Sequence, residues 1–493
     1  MTLLALLLVP LIAAGIIVAM PDRFARWTAL IAGLVGAAQG ACLFTDFDGL
    51  HPGTLQFVFD LPWIAALNSH FALGVDALSL PLVVLAKVMT PIAVVASWNE
   101  SRHSRPFMAL YLLLDVAMTG TFLATDLFLF YVFWEIMLIP MLLLIGVWGS
   151  SQRIFASMKF FLYTFAGSVL MLVGILYLVT HGSDSGLQIT SFYGFAFAPG
   201  PIFLGLSVGD LVFLAFALAF LVKVPLFPFH TWLPDAHVQA PTGGSIILAA
   251  VLLKMGVYGL LRFAIPICPQ AFDHFAGLLG ALSLIGGVYG AWVAFQQNDL
   301  KKLVAYSSVS HLAFVVLGLC SKTPEGLAGA VLQSVNHGLS TGALFFLVGV
   351  LYERRHTREF DQYGGLAAVM PKFAFFLVFA ACSSMGVPGL NGFVGEFLIL
   401  FGAFTHNVYW GAIAVTGVVF GAVYTLTMVK RLLFGGIAVA ENHSLKDLVP
   451  REVIALTVLA ISMVVLGLKP GLILSKVNQP VSTYWHQAKG IAP

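Results

Sequence analysis

Residues 210–229 read DLVFLAFALAFLVKVPLFPF, an apolar run interrupted by one cation, Lys223, and then by Pro225 and Pro228. A lysine at bilayer depth costs roughly 3 kcal/mol on insertion scales, and it is tolerated when it faces the protein interior, finds a partner or lines a water path. The prolines remove backbone donors and break the helix beside the charge. A charge next to a broken membrane helix is a transporter signature. Outward from this stretch the pattern recurs, because Glu135, Lys254 and Glu396 each stand in a different apolar segment.

The whole chain has this character. Its 493 residues are 60% hydrophobic and only 9% charged, with a mean hydropathy of +0.97, whereas a soluble domain carries about 25% charged residues. The fold class is therefore an all-α polytopic membrane protein in contact with lipid. At about 20 apolar residues per span, fourteen segments are counted, beginning near residues 2, 27, 77, 106, 126, 153, 209, 241, 272, 303, 326, 374, 409 and 452. The first has no basic region before it and reads as a retained span rather than a cleaved signal. Cys42, Cys268, Cys320 and Cys382 are scattered without a CxxC spacing and read as packing residues. Neither GxGxxG nor GxxxxGK[ST] occurs, so no cofactor, metal or nucleic acid is expected on this chain.

The net charge of +2 says little, but its distribution says more. With the N-terminus outside and fourteen crossings, fifteen Lys and Arg fall in inside loops and five in outside loops. That asymmetry follows the positive-inside rule and puts both termini on the outer, periplasmic side. Outside loop 47–76 contains TLQFVFDLPW and suggests a hairpin; outside loop 182–208, rich in Gly, Ser and Phe, suggests a lid over helix ends; inside loop 434–451 suggests a short surface helix. A second broken segment, 374–401, carries Pro388 and Gly389 ahead of Glu396. Interrupted segments at matching positions of two halves point to a transport site. Placed as spans seven and twelve, they define two inverted five-helix repeats. The expected divisions are 1–105 (spans 1–3), 106–262 (spans 4–8), 263–433 (spans 9–13) and 434–493 (inside loop and span 14).

The buried ionisable residues form an ordered set: Glu135, Lys223, Lys254, His311, His337 and Glu396. A glutamate and a lysine that share a low-dielectric site titrate as a coupled unit. His311 and His337 stand among Ser, Thr, Asn and Gln, and a ring with two nitrogens suits a relay. Asp115 and Lys87 are intramembrane accessories, Asp115 open to a neighbouring subunit or to Glu135, and Lys87 without an assigned partner. His230 and His237 flank the inside end of span seven and suit an entry. Lys159 suits snorkelling, and Arg262 and Arg431 suit helix-end anchoring. The set fits proton conduction better than binding of an organic substrate. The bland alternative is a scaffold in which these charges only hold helices together.

The stretches KVPLFPFHTWLPDAHVQAPTGGSIILAAVLLKMGVYG (223–259), NDLKKLVAYSSVSHL (298–312) and FVGEFLILFGAF (393–404) resemble the antiporter-like subunits of respiratory complex I and the related Mrp cation/proton antiporters. The resemblance runs over essentially the whole chain. Glu396, where other members carry lysine, and Lys254, where one branch carries histidine, favour the M-type branch, counterpart of mitochondrial chain 4. Gln239 departs from the glutamate expected there. The resemblance implies that Glu135 pairs with Lys223 toward one neighbour, that Lys254 is the central relay, and that His311 and His337 link it to Glu396 as the exit or next-subunit connection. It implies L-like and N-like subunits on either side. NADH, FMN, iron–sulfur clusters and quinone belong to partner subunits. The membrane is energy-transducing, a bacterial cytoplasmic membrane in preference to an organellar inner one. The alternative is a subunit of a multisubunit Mrp-type sodium/proton antiporter. If only titratability matters at the terminal carboxylate, Glu396→Lys is better tolerated than Glu396→Ala.

Overall fold

A computed structural model describes residues 3–182, 186–437 and 439–477. In hydrocarbon every backbone polar group must be paired within the protein, which leaves helix as the solution for apolar segments of this length. Ten helices among the described residues are long and apolar enough to cross a membrane by length and composition. Shorter apolar helices occupy Leu3–Ala19, Leu80–Ala96 and Pro371–Ser384. Span seven is split into Val208–Lys223 and Trp232–Gln239, and span twelve into Pro371–Ser384 and Asn391–His406. The apolar segments are thus helical among the described residues, and both breaks fall beside the prolines.

Three helices make the centre. The apolar windows of Thr242–Ile267, Leu300–Cys320 and Pro324–Arg355 are 94%, 94% and 100% buried, against 28–39% for Asp22–Asp46, Arg153–His181, Val408–Leu433 and Pro450–Leu468. The central three carry Lys254, His311 and His337; the outer four present side chains such as Ile31, Phe155, Val419 and Ile454 on the exposed surface. A large exposed apolar surface of this kind is covered by lipid or neighbouring subunits.

The loops sort to two ends. At the end assigned outside, strands Gln56–Ile64 and Ser69–Val75 pair as an antiparallel hairpin. Asp126 ties it down, accepting from Ser69 Oγ at 3.1 Å and His70 N at 2.9 Å while it caps its own helix through Phe128 N and Leu129 N. The loop after 186 carries a 3-10 turn, Ile189–Phe192, with Phe192 buried; residues 183–185 of the expected lid lie outside the described residues. At the opposite end Lys301 donates to the Ala240 carbonyl at 2.6 Å, and Arg354 pairs with Glu452 at 2.8 Å. The expected surface helix there is the 3-10 turn Ala440–Ser444.

One buried ion pair locks the first spans. Pro10 lies inside helix Leu3–Ala19 and has no N–H to offer the carbonyl of Leu6. Lys87 supplies the missing donor, with Nζ 2.7 Å from Leu6 O, and its charge meets Asp115 Oδ2 at 2.7 Å. Thr90 also donates to Asp115, at 3.2 Å, and the lysine stem runs against Gly36 and Gly40. Asp115 is therefore paired with Lys87, the partner left open in the sequence, rather than with Glu135. Lys87→Met leaves the buried Asp115 carboxylate without its counter-charge and the Leu6 carbonyl without its donor, at a cost of about 3–5 kcal/mol. Thermal inactivation of the membrane assembly checks this: Lys87→Met lowers the midpoint, and adding Pro10→Ala with Asp115→Asn recovers much of it. No recovery in the triple variant contradicts the staple.

Candidate functional site

The break in span seven is built around Lys223. Helix Val208–Lys223 ends on it, Pro225 follows, and the Phe227–Pro228 peptide is cis. The Val222 carbonyl freed by the break accepts from Trp232 Nε1 at 2.9 Å. A cation at a helix C-terminus is favoured by the helix dipole. The Lys223 ammonium lies over the Trp134 indole, 4.9 Å from its centroid, and 5.9 Å from the Phe160 ring. Nζ has no hydrogen bond among the described residues. Glu135 is half-buried in the last turn of Leu127–Ile136, with Tyr131 and Ser168 as its polar neighbours. The expected direct pair is therefore absent from the ion pairs among the described residues: ring faces, not the carboxylate, contact the ammonium.

Around Lys254 the helix widens. A π-helical stretch, Leu248–Leu252, immediately precedes it, and such bulges recur at functional sites. Nζ folds back onto the Ala249 carbonyl and meets His337 Nδ1 at 2.6 Å. The helix Pro324–Arg355 reaches this point because residue 338 is glycine; a Cβ there would sit 2.8 Å from the Ala250 carbonyl oxygen. Next along that path, the His337 and His311 ring centroids are 5.7 Å apart. His311 Nδ1 is 3.1 Å from Glu396 Oε1, and its Nε2 is 3.1 Å from the Tyr424 hydroxyl.

The break in span twelve shapes the last position. Gly386 has φ +70°, and a Cβ on it would lie 2.5 Å from Glu396 Oε2, so the turn both needs left-handed backbone and has no room for a side chain. Gln333 donates to Glu396 Oε1 at 3.2 Å. Asn336 donates to the Asn391 carbonyl at 2.6 Å, Asn391 donates back to the Asn336 carbonyl at 3.2 Å, and Ser383 donates to Asn391 Oδ1 at 2.6 Å. These reciprocal bonds satisfy the backbone at the break and fix the helix that carries Glu396.

Lys254 thus meets His337 and His311 meets Glu396, while the two imidazoles adjoin without a hydrogen bond between them, His337 Nε2 having no partner among the described residues; Lys223 and Glu135 form a second group with no hydrogen bond to these four among the described residues. His230 sits among Phe227, Tyr289 and Tyr306, with ring centroids 5.5–6.3 Å away. His237 is fully buried, stacked 4.4 Å from the Phe345 ring, and neither ring nitrogen has a hydrogen-bond partner among the described residues. It lies two residues from Gln239, which lines a cavity with Ser97, Glu100, Lys301 and Glu353. Gln239 Oε1 accepts from Ser150 Oγ at 2.5 Å and Gln152 N at 2.9 Å, bonds that a carboxylate would also accept, which accounts for the departure from glutamate. Lys159 pairs with Asp235 at 2.7 Å, Arg262 with Asp76 at 2.7 Å, and Arg431 with Asp361 at 2.9 Å. No group of three or more His, Cys, Asp or Glu that could hold a metal ion occurs among the described residues.

A family model described as NADH:quinone oxidoreductase/Mrp antiporter, TM, matches residues 124–421, the stretch that contains both breaks and the whole path. The chain belongs to this family. It is 42% identical over 466 residues to NADH-quinone oxidoreductase subunit M of Rhodobacter capsulatus, covering 94% of this chain and 90% of that one. It is 41% identical over 480 residues to NAD(P)H-quinone oxidoreductase chain 4 1 of a Synechococcus strain, with 95% and 90% covered. Among solved structures, a chain of respiratory complex I from Thermus thermophilus with bound NADH superposes with a TM-score of 0.90 at 32% identity, over 99% of this chain and 100% of that one. A chain of the Mrp complex from Dietzia sp. shares the fold, with a TM-score of 0.83 at 24% identity over 100% of this chain and 52% of its own length.

Proposed function

We propose that the chain is a proton-translocating, antiporter-like membrane subunit of NADH:quinone oxidoreductase, coupling quinone reduction to proton pumping. The observation that carries this reading is the row Lys254, His337, His311 and Glu396, groups that each gain and lose protons, the first three in the most buried helices and Glu396 on the half-helix after the second break. A lysine, two imidazoles and a carboxylate in sequence offer three proton-binding bases that end on an acid. Lys223 and Glu135 act as a charge switch beside it: movement of the Lys223 cation toward or away from Glu135 changes the field at Lys254, and a proton crosses between the two groups through water.

In this reading redox chemistry happens elsewhere. NADH, FMN, iron–sulfur clusters and quinone are bound by partner subunits, this chain holds no cofactor, and L-like and N-like subunits flank it. It sits in a bacterial cytoplasmic membrane with fourteen crossings and both termini periplasmic. A sodium/proton antiporter subunit is the second reading, since an Mrp chain shares the fold; Glu396, where lysine is typical of that branch, favours the first.

Mild-detergent purification of the tagged chain tests the assignment. The expected result is co-purification of NADH:quinone activity with flavin and iron–sulfur partners. A stable assembly without redox cofactors, showing sodium/proton exchange in vesicles, overturns it.

A further inference from the structure

We propose that Tyr424 is a positioning residue for proton transfer at His311, acting as a hydrogen-bond partner that reverses its polarity during the step. The inference rests on the relay reading above and deepens it. Tyr424 lies in helix Val408–Leu433, outside the three central helices, and is 1% exposed. Its hydroxyl is 3.1 Å from His311 Nε2, while His311 Nδ1 is 3.1 Å from Glu396 Oε1. The imidazole is therefore held at both nitrogens, by a carboxylate on one side and a phenol on the other.

The chemistry of the three groups fixes what each state looks like. An ionised carboxylate only accepts, so the neutral ring opposite it carries its proton on Nδ1 and presents a lone pair at Nε2. A phenol both donates and accepts, and here it donates to Nε2. When the Tyr424 hydroxyl turns its hydrogen away and a proton passed on from the His337 side binds Nε2, the Nδ1–H bond breaks and an O–H bond forms at Glu396 Oε1. The ring is again neutral, now protonated at Nε2, and the Tyr424 hydroxyl accepts from it. One proton has entered, one N–H bond has been exchanged for one O–H bond, and every polar atom is satisfied before and after. A group that could only donate, such as an indole N–H, would leave one of the two states unpaired. Ser307 and Thr425 are the other polar neighbours of the hydroxyl and can serve its free side in either orientation.

Tyr424→Phe keeps the ring and deletes only this partner. The test uses the whole complex reconstituted in vesicles, with NADH-driven pumping taken per assembled complex, as counted by NADH oxidation with a soluble artificial acceptor. A lower yield then does not move the readout. Tyr424→Phe is expected to slow pumping by roughly tenfold, the order expected for loss of one hydrogen bond. It is also expected to enlarge the solvent deuterium isotope effect on pumping, because the proton step becomes limiting; a packing defect alone would not. In a His311→Ala background, adding Tyr424→Phe is expected to change nothing further. Normal pumping with an unaltered isotope effect in Tyr424→Phe overturns the proposal, as does an equal additional loss in the His311→Ala background. Normal pumping in His311→Ala and in Glu396→Gln would instead overturn the relay reading itself.

Discussion

Lys223→Ala, in an assembled complex, is expected to lower NADH-driven proton pumping by more than about tenfold while NADH oxidation by an artificial acceptor continues. The cation at this position ends a half-helix and lies over two ring faces, with no hydrogen bond at Nζ among the described residues. Cation–π contact is worth about 2 kcal/mol when desolvated, much less than a fixed buried ion pair, so the ammonium can shift. Alanine removes this charge from the break and leaves Glu135 with Tyr131 and Ser168 as its polar neighbours. Glu135→Ala is expected to give a similar loss, since the switch needs both signs. Dye-quench pumping assays on vesicles, normalised to the artificial-acceptor rate, measure both. Normal pumping in either assembled variant would remove the residue from the translocation machinery.

The second large effect is at Glu396, and here the geometry changes the expectation drawn from sequence. Titratability alone would make Glu396→Lys milder than Glu396→Ala. The carboxylate, however, faces His311 Nδ1 and accepts from Gln333 Nε2. An ammonium has three donors and no acceptor, so lysine would face the Gln333 Nε2 donor and would meet His311 Nδ1 only with that ring in its other tautomer, in a site that Gly386 already crowds. Both substitutions are therefore expected to depress pumping by more than about tenfold, with Glu396→Lys no better than Glu396→Ala. Glu396→Asp, which keeps the acceptor, is expected to retain more. Clear recovery in Glu396→Lys, measured in the same assay, would show that a titrating group of either sign suffices.

Much of the fold was legible because the bilayer permits few solutions. Apolar runs of span length read directly as helices, and Pro225, Pro228, Pro388 and Gly389 located both breaks. Lys254, His311, His337 and Glu396 were visible as polar residues in apolar segments, where each needs a reason to be present. Pairings were less legible, because they depend on which helix faces which. Lys87 and Asp115 stand 28 residues apart and meet only when spans three and four pack. Glu135 and Lys223 invited a direct pair by charge alone, but the Trp134 ring, one residue before the glutamate, takes the place against the ammonium. Tyr424 gave no signal beyond a Tyr-Thr step in an apolar helix; its partner is 113 residues away, and tyrosine is ordinary in membrane helices.

The most direct measurement is the number of protons pumped per electron by complexes carrying Lys254→Met. Methionine matches the length of the lysine stem and removes the charge, so packing against the π-helical stretch is largely kept. A complex that assembles, reduces an artificial acceptor at the normal rate and pumps fewer protons per electron than the unsubstituted complex is the expected result. An assembled complex with an unchanged ratio would contradict proton translocation through this chain, and would leave its buried charges with a purely structural role.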